Sequence, residues 1–136
     1  MKSCHIVVMA AVVTAGSLCG FGGLGAAPAA SAAEPRMSFQ EDVLPVFVGR
    51  CVTCHSAPNG EGYQASGLDL TSYQGVMAGT KFGPMVIPGD PESSNLMRLL
   101  DWRTSAALRM PHNKKQLSSC DRTAIRDWIR QGAKDN

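Results

Sequence analysis

The 136-residue sequence lacks a surplus of charge. Thirteen Lys and Arg face eleven Asp and Glu, a net of +2, so the balance does not favour nucleic acid as a partner. The alternation of apolar and polar residues that marks half-buried strands is missing, and there is no internal repeat. Without a βαβ pattern, a thioredoxin-type thiol pair has no setting. Cysteine and histidine are scarce. Beyond the N-terminal region the chain has only Cys51, Cys54, Cys120, His55 and His112. A structural zinc site built on Cys51 and Cys54 would have to recruit both Cys120 and His112.

Charge is also missing locally. No Asp, Glu, Lys or Arg occurs between Lys2 and Glu34. Lys2 and His5 make a short polar start, Ile6 to Val13 is apolar, and residues 14–33 are mostly Gly, Ala and Ser. The stretch ends in Ala30-Ser31-Ala32-Ala33, which offers small-residue cleavage sites after Ala32 or Ala33. Residues 1–33 therefore read as an export signal and residues 34–136 as one domain, placed in the periplasm. The strongly apolar part is short for a membrane span, and a retained anchor is the alternative. A lipoprotein reading is poorer, because Leu18 stands where a small residue usually precedes a lipidated Cys. Cleavage would remove Cys4 and Cys19 and leave Cys120 unpaired, either half-buried or free to join two chains.

What is present is Cys51-Val52-Thr53-Cys54-His55. This C-x-x-C-H run is the attachment signature of c-type haem. Two thiols on one turn can each add to a vinyl group of one porphyrin, and the next residue offers an imidazole to the iron. A covalent porphyrin would also supplement the modest core that a chain this small can build.

The rest of the chain reads as all-α. Ser38 and Glu41 match a capping box. Phe39, Val43 and Phe47 recur at helical spacing, while Pro45 predicts a kink or two short turns before Cys51. Residues 56–67 read as polar loop and Leu68 to Leu70 as briefly extended. A short helix is expected over 72–77, loop over 79–91, and a helix through Asn95, Leu96, Leu99 and Leu100, capped by Ser93 or Ser94. Residues 101–116 return to loop. The clearest helix starts at Ser118, carries Ala124, Ile125, Trp128 and Ile129 on one face, and ends at Gly132. Loops this long are unusual unless they wrap something, and a haem fits that role.

A haem bound through His55 needs a sixth ligand or an open face. The candidates are Met37, Met77, Met85, Met97, Met110 and His112. Met97 lies in a helical segment and reads as core. Met77 and Met85 flank a Gly-rich loop. Met110 is followed by Pro111, which stiffens an otherwise flexible loop. A single Met is otherwise a core gap-filler.

At this point the chain resembles a class I c-type cytochrome. Phe47 stands four residues before Cys51, the attachment motif follows, Met110-Pro111 lies further on, and Trp128 occupies the terminal helix. More narrowly, Gly67-Leu68-Asp69-Leu70, Pro88-Gly89-Asp90-Pro91, Ser94-Asn95-Leu96, Met110-Pro111 and Asp127-Trp128-Ile129-Arg130-Gln131-Gly132-Ala133 are similar to planctomycete-type cytochrome c domains. The resemblance implies a helical cytochrome c-like fold, with helices and long loops wrapped around one covalent haem c. It implies attachment at Cys51 and Cys54, iron ligation by His55 and Met110, and a one-electron carrier rather than an enzyme. Pro45 in the first helix and His112 beside Met110 depart from the pattern. The basic residues Arg98, Arg103, Arg109, Lys114 and Lys115, with Asp101 as the only acid among them, read first as a solvated loop face; the functional alternatives are a docking face for a redox protein partner and pairing with haem propionates. The alternatives are a haem enzyme or gas sensor with an open sixth site, and a haem subunit of a larger dehydrogenase or oxidase complex.

Overall fold

A computed structural model describes residues 35–136; the expected export signal, with Lys2, Cys4 and Cys19, lies outside the described residues. The described chain is helical and carries no sheet, only an isolated bridge between Thr80 and Gly83. No helix among the described residues is long and apolar enough to cross a membrane.

Pro45 shapes the first helix. A π-helical turn over Phe39–Val43 leads into α1, Leu44–Arg50. The change of register puts Pro45 in the first turn of α1, where a missing N–H leaves no intrahelical bond unmade. Ser38 caps the start, accepting from the Glu41 N–H at 3.2 Å. The reciprocal half of the expected capping box differs: Asp42, one turn in, accepts the Ser38 N–H at 2.9 Å. The first free N–H groups are met by the far end of the chain, Phe39 by Asn136 Oδ1 at 3.1 Å and Gln40 by the Asn136 carbonyl at 3.0 Å.

α2 (Glu61–Ser66) occupies a stretch that reads as loop. Its glycines look like breakers, but Gly67 ends the helix at φ 81° and Gly62 serves a contact described below. α3 (Tyr73–Ala78) is capped by Ser72, which accepts from the Gly75 N–H at 3.1 Å. α4 (Asn95–Leu100) follows. Here Ser94 does not cap with its side chain. Its buried hydroxyl donates to the Asp90 carbonyl at 2.7 Å and accepts from the Ile87 N–H at 2.9 Å, which pins the preceding loop. A single 3₁₀ turn, Ala106–Leu108, interrupts the next loop, and α5 (Ser119–Arg130) closes the chain. Ser118 caps α5 by accepting from the Asp121 N–H.

The core forms where α5 crosses the first helix. Phe39, Val43 and Phe47 are buried at their expected spacing, and Ile125, Trp128 and Ile129 face them from α5. Phe39 meets Trp128 with ring centroids 5.3 Å apart and Tyr73 edge-on at 5.4 Å. The loops contribute as well: Leu68, Leu70, Met85, Val86 and Leu117 are buried in the same cluster. Leu68 to Leu70 form no strand; their role is this apolar anchoring. Cys120 is half-buried in the first turn of α5.

Candidate functional site

The end of α1 builds the attachment motif. Cys51 and Val52 both donate backbone N–H groups to the Phe47 carbonyl, and Cys54 and His55 both donate to the Cys51 carbonyl, at 2.8–3.0 Å. The chain thus turns tightly through the motif and holds both thiols and the imidazole on consecutive turns. Cys51 and Cys54 are free thiols. They differ in environment. Cys51 packs against the core, and burial pushes its pKa up to about 11, with Arg50 pulling weakly the other way. Cys54 lies outward, and its thiol donates to Glu61 Oε1 at 3.4 Å. That hydrogen bond is the main reason its pKa is also raised.

α2 lies directly on the motif. The Tyr63 N–H donates to the Cys54 carbonyl at 3.0 Å, and the Leu70 N–H to the His55 carbonyl at 2.9 Å. Two glycines allow this approach. A Cβ on Gly60 would sit 2.4 Å from the Cys54 oxygen, and one on Gly62 would sit 2.8 Å from His55 Cε1 and 2.9 Å from Nε2. His55 is half-buried, and burial holds its pKa below the ordinary histidine value; the Leu68 backbone pulls upward more weakly. That contact falls short of a well-formed hydrogen bond, and the buried Nδ1 is left without a partner.

The other candidates are distributed as follows. Met97 is fully buried and Met85 nearly so, both inside the core. Met37, Met77 and Met110 are partly buried against its margin. His112 is exposed. Met110 lies between the 3₁₀ turn and α5, and its bond to Pro111 is cis. The loop that carries it returns to the motif. Arg50 donates to the Lys115 carbonyl at 3.5 Å, and Lys114 is near enough to Cys54 to pull that thiol's pKa down slightly. Among the described residues no group of three or more His, Cys, Asp or Glu is gathered to hold a metal ion, so Cys120 and His112 do not join Cys51 and Cys54 in one.

The basic stretch divides. Arg103 pairs with Glu92 at 2.8 Å and approaches Asp101 at 3.8 Å. Asp101 also binds Arg122 at 3.5 Å and Arg126 more closely, and Arg126 reaches Glu92 at 2.5 Å. Arg109 stacks over the Trp102 ring at 5.2 Å. Arg98, Lys114 and Lys115 are exposed.

Residues 51–112 match the family model described as planctomycete cytochrome C. The match is consistent with a cytochrome c-like domain. Comparison with curated proteins and with solved structures returned no match. The matched stretch runs from the first thiol of the motif to His112 and contains Met110; the first helix and α5 lie outside it.

A cytochrome c domain implies haem c, and the residues present fit it. Two free thiols three positions apart precede an imidazole whose buried Nδ1 has no well-formed bond. A second orphaned buried nitrogen, Arg109 Nε, adjoins Met110 and offers a donor to an anionic group such as a propionate. Sequence reasoning named Arg109 only as one of a basic run and did not single out Gly62 or Trp102. The pair Gly60 and Gly62 just past the motif was a usable signal for close approach; Trp102 had none, because its role depends on a residue eight positions away.

Proposed function

We propose that this cytochrome c domain is an exported, periplasmic one-electron carrier with a single haem c attached at Cys51 and Cys54 and ligated by His55 and Met110. One observation carries the proposal: the C-x-x-C-H turn is folded with both thiols free and the His55 ring wedged in place, inside a stretch that matches the family. When bound, haem c supplies a couple between ferric and ferrous iron.

The chain's own residues supply the rest. Cys51 and Cys54 would tether the group from one turn. Burial of His55 disfavours imidazolium and keeps a nitrogen lone pair available for a metal. Gly62 lets α2 lie against the ring and restricts its tilt. The Leu68 backbone acts on the His55 ring, and a contact on the nitrogen that a metal leaves free selects the tautomer of a metal-bound histidine. Met110 offers a neutral, soft thioether from the margin of the core. His–Met ligation raises a haem potential. Apolar neighbours disfavour the additional charge of the oxidised state.

For docking, Arg98, Lys114 and Lys115 are the exposed cations of the basic stretch, whereas Arg103 is engaged by Glu92 and Asp101. An acidic redox partner steered by these three residues would react more slowly as salt rises.

The test is the absorption spectrum of the ferric protein from a haem-attaching, exporting host, wild type beside Met110→Ala. A weak red thioether-to-iron band present in wild type and absent in the variant is expected. A colourless wild-type protein would overturn the haem reading. An unchanged variant spectrum would overturn Met110 and return His112 or an open sixth site to consideration.

A further inference from the structure

We propose that Trp102 is a positioning residue for Met110, holding the backbone of the ligand loop and thereby setting how firmly the thioether occupies the sixth position. The inference rests on the reading of Met110 as the iron ligand. It starts from a conformational outlier. Trp102 has φ 59°, in the left-handed region, where a bulky side chain is strained by its own Cβ. Strain of this kind persists only where surrounding contacts impose it, and here they are visible.

The turn that follows α4 holds Met110 at both of its backbone polar groups. The Met110 N–H donates to the Leu99 carbonyl at 3.2 Å. The indole Nε1–H of Trp102 donates to the Met110 carbonyl at 3.0 Å. The Trp102 N–H also donates to Leu99, at 3.3 Å, and the Arg103 N–H closes back on the Arg98 carbonyl at 2.9 Å. The left-handed step at Trp102 thus turns the chain where α4 ends and the ligand loop must be met. Arg109, the residue before Met110, lies over the indole face at 5.2 Å. Ring face and ring nitrogen therefore grip two consecutive residues of the loop.

The base of this grip is itself fixed. Asp101, adjacent to Trp102, is held by Arg122 and Arg126 of α5. Gln116 donates to the Leu100 carbonyl at 3.0 Å, securing the far side of the loop to α4. A flexible loop that is free to leave would release its thioether to competing ligands; a loop tied at the Met110 amide and carbonyl pays less entropy to keep it in place.

The experiment uses the intact haem-loaded protein and exogenous imidazole, which competes with an axial thioether for ferric iron. Trp102→Phe keeps the ring beneath Arg109 and removes the indole donor. Loss of one such hydrogen bond predicts imidazole binding about 3- to 10-fold tighter than wild type. Ile129→Val, a packing change on the buried face of α5 that removes none of these hydrogen bonds, is expected to leave the imidazole constant unchanged. If Trp102→Phe binds imidazole as wild type does while Met110→Ala has lost the red band, the positioning role is wrong and the ligand assignment stands. If Met110→Ala keeps the wild-type spectrum, the ligand assignment fails and the positioning role with it. Equal tightening in Trp102→Phe and Ile129→Val would reduce the effect to general stability and overturn the proposal. Should Trp102→Phe fail to accumulate, Arg109→Ala removes the cation from the ring and spares the donor: tightening in the same direction supports the role, and no change overturns it.

Discussion

Gly62 stands against the flat of the His55 imidazole, so near that an added Cβ would lie 2.8 Å from Cε1, 2.9 Å from Nε2 and 3.0 Å from Nδ1. The ring and α2 cannot both stay in place if a methyl group intervenes. Gly62→Ala should therefore destabilise by about 1–3 kcal/mol, the usual cost of forcing a well-packed contact apart. Gly49→Ala is the matched control, because nothing lies within 4 Å of its Cβ position in α1; it should stabilise by about 0.5–1 kcal/mol. Urea midpoints of the two variants check both signs. Equal shifts would mean that the ring does not lean on Gly62.

The contact between Phe39 and Trp128 joins the first helix to α5. Both rings are almost completely buried, and the Trp128 indole also donates to the Lys134 carbonyl at 2.8 Å. Trp128→Ala removes ring packing and that hydrogen bond together, a loss of about 3–5 kcal/mol. Trp128→Phe keeps most of the packing and should lose less than half as much. Guanidinium denaturation of the pair measures the difference.

Asp101 collects Arg103, Arg122 and Arg126 where α4 meets α5. Its carboxylate is only 13 % exposed, whereas the arginines are 24–40 % exposed. Asp101→Asn keeps the shape and removes the charge, and should cost about 1.5 kcal/mol, the low end for hydrogen bonds to charged groups, because solvent screens the arginines. The deficit should shrink at high salt. A thermal melt of wild type and variant at low and high salt is the measurement; an unchanged deficit would point to hydrogen-bond geometry alone.

Asp90 accepts from the Ser93 N–H at 3.0 Å, and hydrogen bonds from Ser93 hold its carboxyl below the ordinary aspartate pKa. A carboxylate depressed in the folded state contributes stability that is present above its unfolded pKa and lost as pH falls through the folded one. Asp90→Ala should thus be less stable than wild type at neutral pH, and the two should converge as pH falls below about 4. Acid titration followed by circular dichroism checks the convergence.

Much of the fold is legible in local pattern. Phe39, Val43 and Phe47 announce one buried face, Ser118 and Gly132 bracket α5, and Ile125, Trp128 and Ile129 mark what α5 buries. These succeed because helical period and capping act within a few residues of one another. The α2 helix was hidden because Gly60 and Gly62, which break helices in isolation, are required by the backbone and ring of Cys54 and His55. The capping role given to Ser94 failed for a related reason: its hydroxyl found Asp90 and Ile87 in the folded loop.

By itself the sequence determined the helical class, the position of the core faces, and the five consecutive residues that define the attachment motif, since each depends on spacing along the chain. Only the tertiary structure decided that Met85 joins Met97 in the core while Met110 sits at its margin, that Arg103 is neutralised by Glu92 and Asp101, and that Trp102 grips the Met110 loop from a left-handed turn. Burial, ion pairing and a hydrogen bond across eight residues all depend on which segments meet, and that is set when the apolar faces of the first helix and α5 close on each other and carry their loops with them.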